Sequence, residues 1–303
     1  MENILIISNS DSEGSGSAFL KFFNILQSKG FLVNFLVRNK KSHSTNITKI
    51  DLNIKSKYLK FLRKIEDFIG VFKKEYCFHD RGRYLITDLS QIDCYIKTSP
   101  DIIIFGWLSE FIDPKVIIQL KKKYNSKLYY LNVDNSSFTG GCHFTNECNR
   151  FKKDCVDCPA TKNFFYKKKI SKHFSRKKYI FSGQQITQLF FTKNLKKKIY
   201  SSEFFDSSNF LEVTGIGLSI SANTNSNINR ANIEKKYNIP KNKVNIIFSA
   251  VSLDDKRKGL NYLIKSLKLI PKKDAERITI IMIGSYSNNI KKLTASIENK
   301  ILF

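Results

Sequence analysis

The stretch 3–37 reads NILIISNSDSEGSGSAFLKFFNILQSKGFLVNFLV, and the order of its signals decides the fold. Asn3–Ser8 is a short apolar run of the kind that fills a parallel strand buried on both faces. Asp11–Ser17 (DSEGSGS) reads as a loop of small and polar residues. Ala18–Ser28 places Leu20, Phe23 and Leu26 on one helical face, and Gly30 ends the helix. Phe31–Val37 is a second strand. Strand, glycine loop, helix, strand is the opening of a doubly wound α/β domain.

The alternation continues outward from there. Polar Asn39–Lys57 reads as a loop, Tyr58–Lys74 as an amphipathic helix and Gln91–Thr98 as a short helix. Asp101–Phe105 (DIIIF) is a third buried strand, Pro114 opens the helix Lys115–Lys123, and Lys127–Asn132 is a fourth strand. After a cysteine-bearing loop, Lys178–Ser182 reads as a strand, Gln184–Lys193 as a helix and Phe210–Thr214 as a short strand. The strands at 3–8, 31–37, 101–105 and 127–132 are expected to be neighbours in one parallel sheet with helices on both faces. Ser/Asn-rich Ser219–Arg230 reads as a linker. Val244–Ala250 (strand), Leu260–Leu269 (helix), Arg277–Ile283 (a strand left at the sheet edge) and Asn288–Lys300 (helix) then begin a second unit. The expected division is an N-terminal Rossmann-like domain at 1–218 with a cysteine-rich loop at 134–165, a linker at 219–243, and a partial second Rossmann-like domain at 244–303.

At 303 residues the chain has room for two domains, and 42% hydrophobic content is enough for a packed core, which excludes a disordered chain. No apolar run approaches the roughly 20 residues of a spanning helix. The start of the chain lacks the basic region and long apolar stretch of a signal peptide, so a cytoplasmic location is expected. There are 52 basic and 26 acidic residues, for a net charge of +26. That charge suits nucleic acid or an anionic membrane surface; lysines spread among Asn and Ile along the whole chain also fit compositional drift. The dense basic stretches at 121–123, 167–178 and 193–198 follow no nucleic-acid module. No nucleic-acid partner is expected.

Three short patterns carry chemistry. Cys142-x5-Cys148-x6-Cys155-x2-Cys158 places four soft ligands in one loop, the donor set of a structural zinc ion; unassembled thiols and disulfides are the other readings. Gly14-Ser15-Gly16 follows the first strand. Its amides suit an anion or a sugar hydroxyl, or form a plain turn. It lacks the third glycine of a dinucleotide site, so no nicotinamide cofactor is expected. Lys256-Arg257-Lys258-Gly259 lies between a strand and a helix, where open α/β sheets bind ligands. It suits a diphosphate, or is a solvated basic turn.

In order, these patterns resemble a subgroup of the family 4 glycosyltransferases that build bacterial surface polysaccharides of the colanic acid, O-antigen and capsule type. Phe138-Thr139-Gly140-Gly141-Cys142-His143-Phe144, Cys148 and Cys155-Val156-Asp157-Cys158-Pro159 resemble the subgroup's cysteine-rich insert. The segment from Phe248 to Leu260 resembles its donor-domain opening, and Gly14–Ala18 its N-terminal glycine loop. The resemblance covers essentially the whole chain. It implies a GT-B fold of two Rossmann-like domains and retaining, metal-independent transfer from a nucleotide sugar, with no catalytic cofactor. The acceptor, a lipid-linked glycan, would dock on the N-terminal domain near Gly14, Ser15, Gly16, Thr139, Gly140 and Gly141, beside catalytic Asp134. Arg257, Lys258 and Gly259 would hold the donor diphosphate. A peripheral position at the inner face of the plasma membrane follows.

The sequence departs from the family pattern in three places. Val133-Asp134 stands where the family often has His-Asp, Ser252 stands where many relatives have Arg, and the chain ends before the expected Glu-x7-Glu motif. The second expectation is therefore a remnant or accessory half-enzyme that binds acceptor or pairs with a separate chain supplying the donor domain.

Overall fold

The computed structural model describes residues 2–205, 210–214, 226–297 and 300–302. The chain divides into two compact units, Met1–Gly217 and Leu218–Phe303. In the first, the order is β1 (Asn3–Ser10), α1 (Glu13–Ser28), β2 (Leu32–Asn39), β3 (Ile47–Lys49), α2 (Asn53–Phe68), α3 (Ser90–Asp93), β4 (Ile102–Phe105), α4 (Pro114–Tyr124), β5 (Lys127–Asn132), α5 (Phe164–Phe181), β6 (Ile186–Phe190), α6 (Lys193–Tyr200) and β7 (Phe210–Glu212).

The seven strands form one sheet in the order β3-β2-β1-β4-β5-β6-β7, and every pair is parallel. Alternation along β1 explains why both faces are covered. Ile4 and Ile6 pack with Phe19 and Phe23 of α1, while Leu5 and Ile7 pack with Val116, Ile117 and Leu120 of α4. Each such side chain, fully buried, contributes roughly 1.5–3 kcal/mol of transfer free energy. The chain runs outward from β1 to β3 on one side and from β4 to β7 on the other. The strand order therefore reverses between β1 and β4, and the crevice outside the carboxyl ends at such a reversal is where open α/β sheets bind ligands.

Several expected boundaries shift. The expected loop 39–57 contains β3 and the start of α2, and α2 ends at Phe68 rather than Lys74, with Gly70 beyond it at φ +64°. The short helix expected at 91–98 is the single turn α3. More consequentially, Lys178–Ser182 is not a strand but the last turn of α5, and the expected helix 184–193 is strand β6, hydrogen-bonded beside β5. Ile170, Phe174, Lys177 and Phe181 form the buried stripe of α5 at helical spacing. A lysine in that stripe hides its period.

The second unit contains α7 (Ser226–Lys236), β8 (Val244–Ser252), α8 (Leu260–Leu267), α9 (Lys272–Ala275), β9 (Ile278–Ser285), α10 (Asn288–Thr294) and β10 (Lys300–Leu302). The first part of the expected linker lies outside the described residues; Ser226–Lys236 within it is helical. The three strands pair in parallel in the order β10-β9-β8. The strand expected as an edge is therefore central, and the expected helix 288–300 stops at Thr294 and gives way to β10. Leu260, Ile264, Ile280 and Met282 form this unit's buried core. Among the described residues no helix is long and apolar enough to cross a membrane.

Candidate active site

The rim at the carboxyl ends of β1, β2, β4 and β5 gathers polar side chains that are buried. Gly106 makes the exit from β4 possible: a Cβ there would stand 2.5 Å from the Leu131 carbonyl and 2.7 Å from the Phe19 ring. The chain then turns through Trp107 (φ 45°) and Glu110 (φ 54°), both in the left-handed region that side chains rarely adopt. This turn presents Ser109 and Glu110 to the rim. Asn9 at the end of β1 fixes it, donating from Nδ2 to the Ser109 carbonyl at 2.7 Å, and Asn39 at the end of β2 donates in turn to Asn9 Oδ1 at 3.0 Å.

Asp134, two residues past β5, is buried at this rim. Its Oδ2 stands 2.7 Å from His143 Nδ1, and its Oδ1 accepts the Ser136 amide at 2.7 Å. The other ring nitrogen of His143, Nε2, is 3.0 Å from Ser109 Oγ. Burial alone would raise the Asp134 carboxyl, but His143 and Ser136 outweigh it and hold it below the usual carboxylate range. The His79 ring stands edge-on to His143 at 5.0 Å, and its Nδ1 is 2.9 Å from Arg63 Nη2. Burial first, then the neighbouring His143 and Arg63, push His79 down to about 3, so it is neutral near pH 7. Arg63 Nη1 also faces Glu110 Oε2 at 3.6 Å.

This rim is incompletely satisfied. Among the described residues, the buried side-chain atoms of the first unit without a protein hydrogen-bond partner are Ser8 Oγ, Arg38 Nε and Glu110 Oε1. All three residues belong to the carboxyl-terminal halves of β1 and β2 or to the turn after β4. Burial raises the Glu110 carboxyl against the pull of Arg63. Orphaned buried polar atoms are costly, about 1–3 kcal/mol each, so these three call for a partner from outside the described residues.

A second buried network lies behind the first. His79 and Asp80 are consecutive, and Asp80 meets His173 Nε2 at 3.1 Å and Lys177 Nζ at 3.2 Å. Lys177 also donates to the Ser136 carbonyl at 2.7 Å, and Tyr84 donates to Asp80 Oδ1 at 3.2 Å. Beside this network opens a cavity of about 410 Å³, lined by Phe72, Arg83, Gly140, Tyr166, Lys169 and Arg176 among others.

Of the glycines expected to contact substrate, Gly16, Gly140 and Gly141 stand where a Cβ would crowd neighbouring atoms, and Gly14 stands in open space. Gly14 interrupts α1 with non-helical angles (φ 17°, ψ −104°), and the expected loop 11–17 already belongs to the helix from Glu13. A Cβ on Gly16 would stand 2.8 Å from the Ser10 carbonyl, so Gly16 lets α1 approach the end of β1. Ser15 lies between them, half-buried. Thr139 is buried, its Oγ1 donating to the Cys142 carbonyl at 2.7 Å. Gly141 has φ +134°, and a Cβ on it would stand 1.9 Å from the Asp80 carbonyl. Gly140 alone of these three borders the large cavity.

Cys142, Cys148, Cys155 and Cys158 all border one small cavity, with Phe78, Phe151 and Ile170 packed around it. Burial pushes the Cys142 thiol up to about 12 and raises Cys155 and Cys158 as well. Among the described residues no group of three or more His, Cys, Asp or Glu side chains is placed to hold a metal ion. The donor chemistry suits zinc; the sulfurs are not drawn to ligand geometry. In the second unit, Lys256–Lys258 form one 3-10 turn after β8. Asp255 caps it and pairs with Arg257 at 2.6 Å, and Gly259 (φ +85°) leads into α8. Exposed Lys258 therefore sits two residues before the first residue of that helix, Leu260.

No family model matches the sequence, and no curated protein does. Solved structures match the fold. The crystal structure of WaaG, a glycosyltransferase involved in lipopolysaccharide biosynthesis, has a TM-score of 0.50 at 10% identity, over 98% of this chain and 69% of that one. The crystal structure of a glycosyltransferase from Rickettsia africae ESF-5 has a TM-score of 0.53 at 15% identity, over 99% of this chain and 67% of that one. The chain has a GT-B glycosyltransferase fold. In this GT-B chain the pair at Asp134 was half legible: Asp134 was expected, but Arg38, Arg63, His79, Ser109, Glu110 and His143 were not singled out. Val133 precedes Asp134 in the chain, and His143, nine residues further on, meets Asp134 in space.

Proposed function

We propose that this chain is a glycosyltransferase that moves a sugar from a nucleotide-sugar donor to a lipid-linked glycan acceptor, with retention, in surface polysaccharide assembly. The observation that carries the reading is the Asp134–His143–Ser109 constellation at the β1/β4 reversal, bordered by Glu110 Oε1 and Arg38 Nε, which lack a hydrogen-bond partner among the described residues. Asp134 fixes the His143 ring, with Nδ1–H donating to the carboxylate. Nε2 is then the atom that exchanges a proton with a hydroxyl taking the position Ser109 Oγ now occupies. Lys258, two residues before the start of α8 at Leu260, suits the donor diphosphate, where a cation and helix amides offset charge on the leaving group. The cavity beside Asp80 mixes aromatic rings with guanidinium and ammonium groups, a wall suited to an amphipathic, phosphate-bearing acceptor. The test is a panel of labelled nucleotide sugars incubated with the chain and a bacterial lipid extract. Label moving into the organic phase supports the reading, and no transfer from any donor overturns it.

For the cysteine loop we propose a structural zinc ion held by Cys142, Cys148, Cys155 and Cys158. Zinc would replace the thiol protons and tie together the two ends of the cysteine loop. Metal analysis of purified protein should return about one zinc per chain; less than about half an equivalent refutes it.

A further inference from the structure

Helix α2 has three faces rather than two. Leu59 and Glu66 point into the protein. Tyr58, Phe61, Ile65, Phe68 and Ile69 follow one another at helical spacing on a different face and stand in solvent, with Phe61 60% and Phe68 92% exposed. Exposed Lys57, Lys60 and Lys64 run along one border of that stripe. Five large apolar side chains in one row are not the scattered exposure of an ordinary surface. A second feature adjoins it. Tyr166 near the start of α5 donates to Glu66 Oε1 of α2 at 2.8 Å and stands edge-on to Phe72 at 5.3 Å. This tie places the neighbouring Phe164 and Phe165, each 74% exposed, beside the C-terminal end of α2, with Lys162, Lys168 and Lys169 exposed around them.

We infer that α2 and the first turn of α5 form a surface that lies in the interface of an anionic lipid bilayer. A surface helix with an aromatic-rich apolar face bordered by lysines is the form of an interfacial helix: the apolar stripe enters the boundary between headgroups and acyl chains, and the lysines meet anionic headgroups. Aromatic rings suit that depth. The net charge of +26 complements the same partner. A protein partner would also cover an apolar stripe, but it would not call for lysines along the border and around a second aromatic pair. The surface also adjoins the cavity, since Glu66, Phe72, Tyr166 and Lys169 line that cavity and belong to or flank α2 and α5. The inference deepens the proposed function by setting the acceptor cavity at the membrane. It stands apart from catalysis, because vesicle binding is measured without any sugar transfer.

The experiment is vesicle flotation of the full chain with phosphatidylcholine vesicles, and with vesicles in which about a third of the lipid is phosphatidylglycerol. The expected result is binding to the anionic vesicles that weakens steeply between about 0.1 M and about 1 M salt, as the screening length falls from about 10 Å to about 3 Å. The Phe61→Ser/Phe68→Ser variant should bind at least about tenfold more weakly, as should Lys57→Glu/Lys60→Glu/Lys64→Glu. Both change exposed side chains, and their unfolding temperatures, measured alongside, should match the parent. Phe164→Ser/Phe165→Ser provides an independent arm. Equal binding to neutral and anionic vesicles, or unchanged binding in all three variants, overturns the inference. So does a chain that is dimeric in solution, becomes monomeric on Phe61→Ser/Phe68→Ser and binds no vesicles.

Discussion

Two buried Asp–His pairs sit on either side of the His79–Asp80 step, and they differ in what surrounds them. Asp80 is surrounded by His173, Lys177 and Tyr84, and Lys177 reaches on to the Ser136 carbonyl. Asp134 meets His143, which in turn faces Ser109 Oγ and the edge of a neutral His79, at a rim where, among the described residues, Arg38 Nε and Glu110 Oε1 have no hydrogen-bond partner. The first network is closed and the second is open. A closed buried network spends its interactions on holding one arrangement; an open one keeps interactions in reserve for a ligand. On this difference the proposed function assigns Asp134 to the chemistry, while Asp80, with Tyr84 and His173, lines the cavity of about 410 Å³.

The largest expected effect follows from breaking the closed network. Asp80→Asn leaves Lys177 buried without its carboxylate and should cost about 3–5 kcal/mol of stability. Adding Lys177→Met removes the stranded cation and should recover much of that loss, since replacing a buried ion pair whole is far cheaper than halving it. Asp134→Asn keeps the shape and leaves no buried lysine stranded, so it should cost about 1–2 kcal/mol. Chemical denaturation of the three variants checks the order; equal losses for Asp80→Asn and Asp134→Asn would erase the distinction.

The pH dependence separates the two pairs more finely. His79 is pushed down to about 3 by burial and its cationic neighbours. The unfolded chain therefore binds a proton between about pH 6.5 and 3 that the folded chain refuses, and stability falls as pH drops through that window, by up to about 1.4 kcal/mol per unit. Both aspartates are held below their ordinary values, Asp80 well below. Their contribution is present above the unfolded carboxylate value near 4 and is lost only as pH falls through the lower folded values. Unfolding midpoints measured from pH 7 to 4 should decline, and His79→Gln should flatten that decline. An unchanged slope in the variant would show that His79 is protonated in the folded chain.

The sheet was legible because β1, β2, β4 and β5 are dominated by apolar runs that both faces require. The errors cluster where a polar residue occupies a core position. Lys177 breaks the apolar stripe of α5, and fully buried Gln188 breaks the run of β6, where it accepts from Asn132 Nδ2 at 3.0 Å. Each is paid for by a partner distant in sequence, which no local window contains. The site follows the same rule. Asp134 lies just past a strand end and was legible there, but His143, His79 and Arg63 reach it from loops and from α2 through tertiary packing alone. The Gly140–Gly141 pattern was visible while its work was not: it lets the cysteine loop pass against the Asp80 carbonyl and α5.

The most direct test of the open pair is a comparison of His143→Gln and Asp134→Asn with the parent chain, following nucleoside diphosphate release from the donor that the panel identifies, alongside calorimetric binding of that donor. The account predicts turnover lower by about 10²–10⁴-fold in both variants with donor affinity unchanged. Parent-level turnover in His143→Gln would contradict it.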